Sequence, residues 1–177
     1  MFSVFLFGCE EAVQKTTESR TAAGEAWSLH GAMQSTPFIY PGLKVPKTFA
    51  ADEMELPKQL QIIGVTVGDE SRAYVVNDLS QATTHVVNDL IGERPISVTY
   101  CDRTDVARVF ADADGETAME LGVGGWYENE MLITVEGNFF KQGAKDIPAS
   151  DFPFERTTWG EWKGLHPDTR IFTLTKK

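Results

Sequence analysis

From Pro37 onward, glycine and proline divide the chain into short segments whose apolar residues recur at every second position. This period places successive side chains on opposite faces of a β-strand. The clearest example is a hairpin in which residues 62–67 and 72–76 flank a turn at 68–71. Short strands at close, regular intervals favour a barrel or a sandwich over an α/β sheet. We therefore predict a mainly β domain, barrel or sandwich-like, built from antiparallel hairpins.

Three further strand pairs are predicted from the same pattern. They are 85–88 with 96–101 across a turn at 92–95, 106–111 with 117–123 across the Asp-Gly turn at 112–115, and 131–135 with 139–142 across 136–138. The glycine-rich run 122–125 precedes a strand, whereas a phosphate-binding loop precedes a helix. We interpret that run as a bulge or a close strand crossing.

Helix is predicted at two places only. Thr158 and Glu161 fit a capping box, in which the two side chains satisfy each other's backbone amides at a helix start. This short C-terminal helix should end before Pro167, because the proline ring disfavours helical backbone at the preceding residue. Residues 77–82 are predicted to form a shorter helical turn, and residues 170–174 a closing strand.

The N-terminus is a short apolar run followed by a cysteine, and Leu6-Phe7-Gly8-Cys9 resembles the lipobox of bacterial lipoproteins. In that interpretation residues 1–8 are a truncated lipoprotein signal and Cys9 is the lipidation site. In the alternative interpretation the run is an N-terminal strand and Cys9 is a buried thiol. No stretch of the sequence has the ~18–20 apolar residues that a transmembrane helix needs.

The composition changes after Cys9. Residues 9–36 begin with small and polar residues that lack apolar periodicity, and we predict a tether and N-terminal segment. Residues 37–177 are predicted to form a single β-rich domain, because they contain neither an internal repeat nor a second boundary. A tether of this kind would hold the domain away from a membrane to which Cys9 is attached.

Charge and cysteine content exclude several classes of function. Lys and Arg number 16 against 26 Asp and Glu, a formal net charge of −10 that disfavours nucleic acid as a partner. The two cysteines and three histidines show none of the spacings typical of zinc sites. Neither a phosphate-binding nor a nucleophile-elbow motif occurs. We predict no metal and no cofactor.

The candidates for catalysis lie where one predicted strand ends. Cys101 ends the strand 96–101, and His85 stands at one end of the strand 85–88 that pairs with it, so the two could face each other across the rim of a sheet. An imidazole there could activate the thiol. Asp102 and Asp105 follow Cys101 and could line the same cleft. The structural alternatives are a core cysteine, a histidine held by a hydrogen bond, and a solvated acidic turn.

Four residues are candidates for ligand binding: Arg103, Trp126, Tyr127 and His30. Arg103 lies in the polar segment after Cys101, and the adjacent Trp126 and Tyr127 could form an aromatic platform. The alternative for the two aromatic residues is packing in the core. His30 could cover one end of the domain, or it could be a surface or packing residue.

The order of several segments resembles a bacterial family known only as domain of unknown function 3179. The resemblance covers about residues 50–172 and depends on IGVTVGDESRAYVV, HVVNDLIGERPISVTYC, ARVF and TTWGEWKGLHPDT. The resemblance implies that these residues form one folded domain, but it does not indicate which reaction, if any, the domain catalyses. Many members of the family have a CxxC pair, and the matching positions here are Cys101 and Thr104. A dithiol or metal role is therefore not implied for this chain, whereas a role for a single thiol remains open.

Members of that family are often exported, which agrees with the lipobox-like start. We therefore expect a location in the bacterial cell envelope, periplasmic or lipid-anchored, with the cytoplasm as the alternative. The first functional hypothesis is a binding module without catalysis, whose partner is an unknown small molecule or envelope protein and whose membrane contact is limited to Cys9. The second is a thiol-dependent enzyme or redox sensor that uses Cys101 with His85. The third is that 84–105 forms the structural centre of the domain.

Overall fold

The computed structural model describes residues 39–175, and these fold mainly into β-strands. The strands are β1 (Tyr40–Pro41), β2 (Leu43–Lys44), β3 (Phe49–Ala50), β4 (Gln61–Val67), β5 (Glu70–Val75), β6 (Val86–Ile91), β7 (Arg94–Cys101), β8 (Val106–Ala111), β9 (Gly122–Tyr127), β10 (Glu130–Val135), β11 (Asn138–Lys141), β12 (Ser150–Asp151), β13 (Glu155–Thr158) and β14 (Arg170–Phe172). The helix α1 spans Trp159–Leu165, and two 3₁₀ turns span Ala51–Glu53 and Val76–Leu79.

The strands form three sheets. Sheet A has the order β1-β9-β10-β11, sheet B the order β12-β8-β7-β6-β2, and sheet C the order β13-β4-β5-β14-β3. Pairing is antiparallel except where β2 lies beside β6 and β14 beside β5. The prediction of a mainly β domain with antiparallel hairpins is confirmed. The predicted alternatives were a barrel and a sandwich. The strands of residues 39–175 do not close into a barrel, because each of the three sheets remains open.

The hairpin turns are tighter than the sequence predicts. Val67 pairs directly with Glu70, so the turn between β4 and β5 has two residues where we expected four. Gly68 has a φ of +57°, which suits the mirror-image turns that match the twist of paired strands. The turn between β6 and β7 is likewise reduced to Gly92 and Glu93.

One predicted hairpin, 106–111 with 117–123, is wrong. β8 pairs with β7 and β12 in sheet B, whereas β9 pairs with β1 and β10 in sheet A. The reason lies in Asp112, whose carboxylate accepts hydrogen bonds from the backbone N–H groups of Asp114 and Gly115, both at 3.0 Å. This side-chain turn redirects the chain, so the Asp-Gly segment joins two sheets.

The glycine-rich run does form a bulge. Leu132 of β10 pairs with Gly125 and the next residue pairs with Val123, which leaves Gly124 without a cross-strand partner. A Cβ atom on Gly124 would lie 2.6 Å from the ring of Phe139, so the close approach requires glycine. The interpretation as a bulge is confirmed.

The C-terminal helix begins and ends where predicted. Thr158 accepts a hydrogen bond from the backbone N–H of Glu161, and the Glu161 carboxylate accepts one in return from the Thr158 N–H. The last helical residue is Leu165, with His166 as the C-cap before Pro167. The predicted helical turn at 77–82 is the 3₁₀ turn Val76–Leu79.

The sheets stack with sheet B in the middle. Val98 of β7 packs with Ile63 and Val65 of sheet C in one apolar cluster, the B–C core. Phe110 of β8 packs with Ile133 of sheet A in a second cluster, the A–B core. A third cluster lies between sheet C and helix α1. The order of layers is therefore sheet A, sheet B, sheet C and helix α1.

Helices long and apolar enough to cross a bilayer are absent from the described part of the chain.

Candidate functional site

Cys101 and His85, the predicted thiol and base, lie on opposite faces of sheet B. The backbone N–H of Tyr100 donates to the His85 carbonyl at 2.8 Å, so His85 lies directly opposite Tyr100 and on the same face of the sheet. Cys101 is the next residue after Tyr100 and therefore points to the other face. Cys101 is 2% exposed and packs in the A–B core. Within residues 39–175 no hydrogen bond joins the two side chains, and Cys101 is not in a disulfide. A reactive thiol stays a prediction that this geometry does not support.

The His85 ring is held by its own neighbours. Its Nδ1 lies 2.8 Å from the Leu79 carbonyl, and since a carbonyl only accepts, Nδ1 carries the hydrogen. The other ring nitrogen, Nε2, faces Asp102 with 3.7 Å to Oδ1. The structure therefore places Asp102 beside the imidazole. Through the two ring nitrogens, His85 links Leu79, in the 3₁₀ turn Val76–Leu79, to Asp102, in the turn after β7.

Asp105 anchors that turn to sheet C. Its carboxylate accepts hydrogen bonds from the Tyr100 hydroxyl at 3.0 Å and from Arg156 Nη2 at 2.7 Å. These bonds, first from Arg156 and then from Tyr100, hold the pKa of the Asp105 carboxyl below its usual value. Burial, followed by the hydrogen bond to Asp105, raises the pKa of Tyr100. The left-handed backbone of Asp105, with φ +55°, is fixed by these contacts.

Three of the four predicted ligand-binding residues, Arg103, Trp126 and Tyr127, take part in cation–π contacts within the chain. The Arg103 guanidinium carbon lies 3.9 Å from the centroid of the Trp126 ring, which is a close cation–π contact. Lys141 Nζ lies 5.8 Å from the Tyr127 ring centroid. The structure thus brings Arg103 and Trp126 together at the Cys101 end of the sheets. His30 and the lipidation candidate Cys9 lie outside the described residues, as do the predicted signal 1–8 and the tether 9–36.

Metal ligands are not assembled in the part of the chain that the structure covers, since its His, Cys, Asp and Glu side chains form no group of three suited to an ion. The polar groups at the Cys101 end are instead used for contacts with one another.

Sequence reasoning missed an open cleft of about 850 Å³ at the other end of sheets A and B. Three apolar residues at its base, Leu121, Val135 and Ile147, belong to the A–B core. The cleft lies beside Ala111 at the end of β8 and Leu121 just before β9. At the opposite ends of these strands, Cys101 pairs with Val106 at the start of β8, and Trp126 lies near the end of β9. We call this space the A–B cleft. Its base is the open end of the core between the two sheets.

Four carboxylates surround the A–B cleft: Asp112, Asp114, Glu120 and Glu136. Glu120 forms an ion pair with Lys44, whose hydrogen bond lowers the pKa of the Glu120 carboxyl. Asp112 is used by the turn that it caps. Asp114 and Glu136 are exposed, and neither makes an ion pair with any residue of the range 39–175.

The chain is thus a mainly β domain of three stacked open sheets, with an open cleft at one end of the A–B core. The family described as protein of unknown function DUF3179 matches residues 39–177, and the chain belongs to this family. The resemblance seen in the sequence is thereby confirmed, and the match starts where the described structure starts. Neither a curated protein nor a solved structure matches the chain.

Proposed function

We propose that this chain is a non-catalytic binding domain of the bacterial cell envelope that takes its partner in the A–B cleft. The observation that carries the proposal is that three residues of the A–B core, Leu121, Val135 and Ile147, line the cleft. A volume of about 850 Å³ lies in the range of small-molecule and cofactor sites. An apolar partner group placed there would extend a packed core and lose its contact with water.

The Cys101 end of the sheets offers less to a partner. Its side chains already have partners within the chain: Arg103 on Trp126, His85 between Leu79 and Asp102, and Asp105 on Arg156. Polar groups satisfied in this way stabilise a turn, and a ligand would have to displace them. The cleft, by contrast, combines lining residues of the A–B core with two rim carboxylates, Asp114 and Glu136, that make no ion pair within residues 39–175.

The first test fills the cleft and leaves the rest of the domain unchanged. Ala149 lines the cleft and packs at the edge of the A–B core, so Ala149→Trp should place its ring in the cleft. Thr66→Trp, at an exposed position of sheet C, is the matched control. In a ligand-observed NMR screen of a mixed library, we expect hits whose affinity falls about tenfold or more with Ala149→Trp only, about 1.4 kcal/mol.

Two outcomes would contradict the proposal. One is a folded wild-type protein that gives no hits. The other is a set of hits that both tryptophan variants bind as well as the wild type does.

Export is supported by Leu6-Phe7-Gly8-Cys9 and by the frequent export of family members. The test places Lys-Lys after Met1 to supply a basic start and feeds the bacterial cells an alkyne analogue of palmitate. We expect the label on the peptide that contains Cys9, its loss with Cys9→Ser, and its retention with Cys101→Ala. Label that is absent from the protein with the basic start would contradict lipidation.

A further inference from the structure

We propose that residues 26–38 form a strap that packs on the outer face of sheet A, the face turned away from sheet B. Three observations carry the proposal: two buried apolar side chains on that face, the flat surface that glycines form beside them, and the point at which the chain enters the sheet. The strap does not depend on the A–B cleft, whose apolar lining belongs to the opposite face of sheet A.

Two apolar side chains on the outer face of sheet A are shielded from water. In β10, Ile133 packs in the A–B core, so its neighbour Leu132 points to the outer face. In β11, Phe140 packs in the A–B core, so Phe139 points outward as well. Leu132 is 2% exposed and Phe139 is 1% exposed, although sheet A is the outermost layer on its side of the domain. Burial this complete requires a group that covers the face.

The apolar clusters of residues 39–175 do not supply the covering group, since they include neither Leu132 nor Phe139. One side of the Phe139 ring lies against Gly124, where a Cβ atom would be 2.6 Å from the ring. The remaining side of the ring is shielded as well, because only 1% of Phe139 is exposed. These contacts assign the covering group to the rest of the chain.

The surface beside these side chains suits large, flat groups. On the outer face Gly122 pairs with Thr134 and Gly125 pairs with Leu132, so β9 presents backbone there in place of side chains. A Cβ atom on Gly122 would lie only 2.7 Å from Thr134 Oγ1. Aromatic rings pack well over glycine backbone in a sheet. The outer face is therefore suited to an aromatic side chain of the strap.

The segment next to this face has the required apolar groups. β1 pairs with β9 at the edge of sheet A, so the chain before residue 39 enters the domain at that edge. Residues 26–38 contain Trp27, Leu29, Met33 and Phe38. Extended, this segment spans about 40 Å, whereas the four strands of sheet A are only about 14 Å across, so it can reach every part of the face. A second copy of the chain is a weaker candidate, because its net charge of −10 repels the first.

A docked strap shortens the tether. The free part becomes residues 10–25, which as a flexible chain have a root-mean-square span of about 20–24 Å. A lipid on Cys9, which rests on the proposed function, would therefore hold the domain close to the membrane. Failure of lipidation would leave the strap in place, because its contacts involve no lipid.

Hydroxyl-radical footprinting of the full chain tests the strap, because it labels side chains according to their exposure to water. We expect little label on Phe139 in the wild type. Trp27→Ser with Leu29→Ser should raise the label on Phe139 about tenfold, since the strap loses the apolar groups that hold it on the face. Val13→Ser, in the free tether, is the matched control and should leave the label unchanged. Phe110, 0% exposed in the A–B core, should stay unlabelled throughout and so reports that the domain remains folded.

Limited proteolysis of the wild type gives a second measurement that needs no variant. Proteinase K has low sequence specificity, and we expect it to cut within residues 10–25 and to spare residues 26–38. Equal cleavage of the two segments would overturn the proposal, and so would a label on Phe139 that the Trp27 and Leu29 variant leaves unchanged. A label on Phe139 that falls as the protein concentration rises would show that a second copy covers the face, which would also overturn it.

Discussion

Replacing Asp89 by alanine should lower the free energy of unfolding by about 3–5 kcal/mol, the range for breaking a buried ion pair. Arg72 Nη1 donates to Asp89 Oδ2 at 2.6 Å, and the two side chains are 9% and 1% exposed. Arg72 Nε already lacks a partner among the described residues. Without the carboxylate, the guanidinium would be a buried charge with no counterion. Urea denaturation measures the loss.

Tyr74→Phe is the control for that variant. The Tyr74 hydroxyl donates to the same Asp89 oxygen at 2.8 Å, and its removal should cost only about 1 kcal/mol because the ion pair remains. Burial, followed by the charge of Asp89, raises the pKa of Tyr74 well above its usual value, so the hydroxyl stays a neutral donor. A cost for Asp89→Ala no larger than that for Tyr74→Phe would contradict the assigned role of the pair.

Replacing Trp162 by alanine should cost about 3–5 kcal/mol, because the substitution leaves a cavity between helix α1 and sheet C. Trp162 is 1% exposed, and its indole N–H donates to Thr169 Oγ1 at 3.0 Å. The ring lies against Gly64, where a Cβ atom would be only 2.4 Å from ring carbon Cζ3. Such close packing leaves little room for the neighbours to collapse into the space.

Leu165→Ala is the matched variant in the same helix. Leu165 is 73% exposed, so its truncation should change the free energy of unfolding by less than about 0.5 kcal/mol. Thermal denaturation of the two variants makes the comparison. Equal shifts in Tm would mean that helix α1 does not use Trp162 as its anchor.

Local patterns predicted much of the fold. Two β-branched runs on either side of a Gly-Asp turn marked β4 and β5, and the reciprocal pair Thr158 and Glu161 marked the start of helix α1. Both signals are short-range and act through backbone hydrogen bonds of neighbouring residues. The jump from sheet B to sheet A at Asp112 was not predicted, since an Asp-Gly turn fits both a hairpin and a connection between sheets.

The A–B cleft was missed because its lining comes from separate parts of the chain. Leu121, Glu136 and Ile147 lie on different segments, and each in isolation is typical of a turn or of the end of a strand. Only the jump between sheets at Asp112 brings them to the same end of the A–B core.

The sequence did contain a signal against pairing Cys101 with His85. A hairpin with an even number of turn residues joins odd-numbered positions to even-numbered ones, and both the predicted turn of four residues and the observed turn of two are even. Either register places Cys101 and His85 on opposite faces of sheet B. The parity of the turn is therefore enough to separate the two side chains.

The central claim is that partners bind at the A–B cleft and not at the Cys101 end of the sheets. The most direct measurement is an amide chemical-shift map of the ¹⁵N-labelled chain with the tightest library hit added. We predict that the signals of Leu121, Val135 and Ile147 shift while those of Cys101, Asp102 and Arg103 stay in place. Shifts confined to Cys101, Asp102 and Arg103 would contradict the claim.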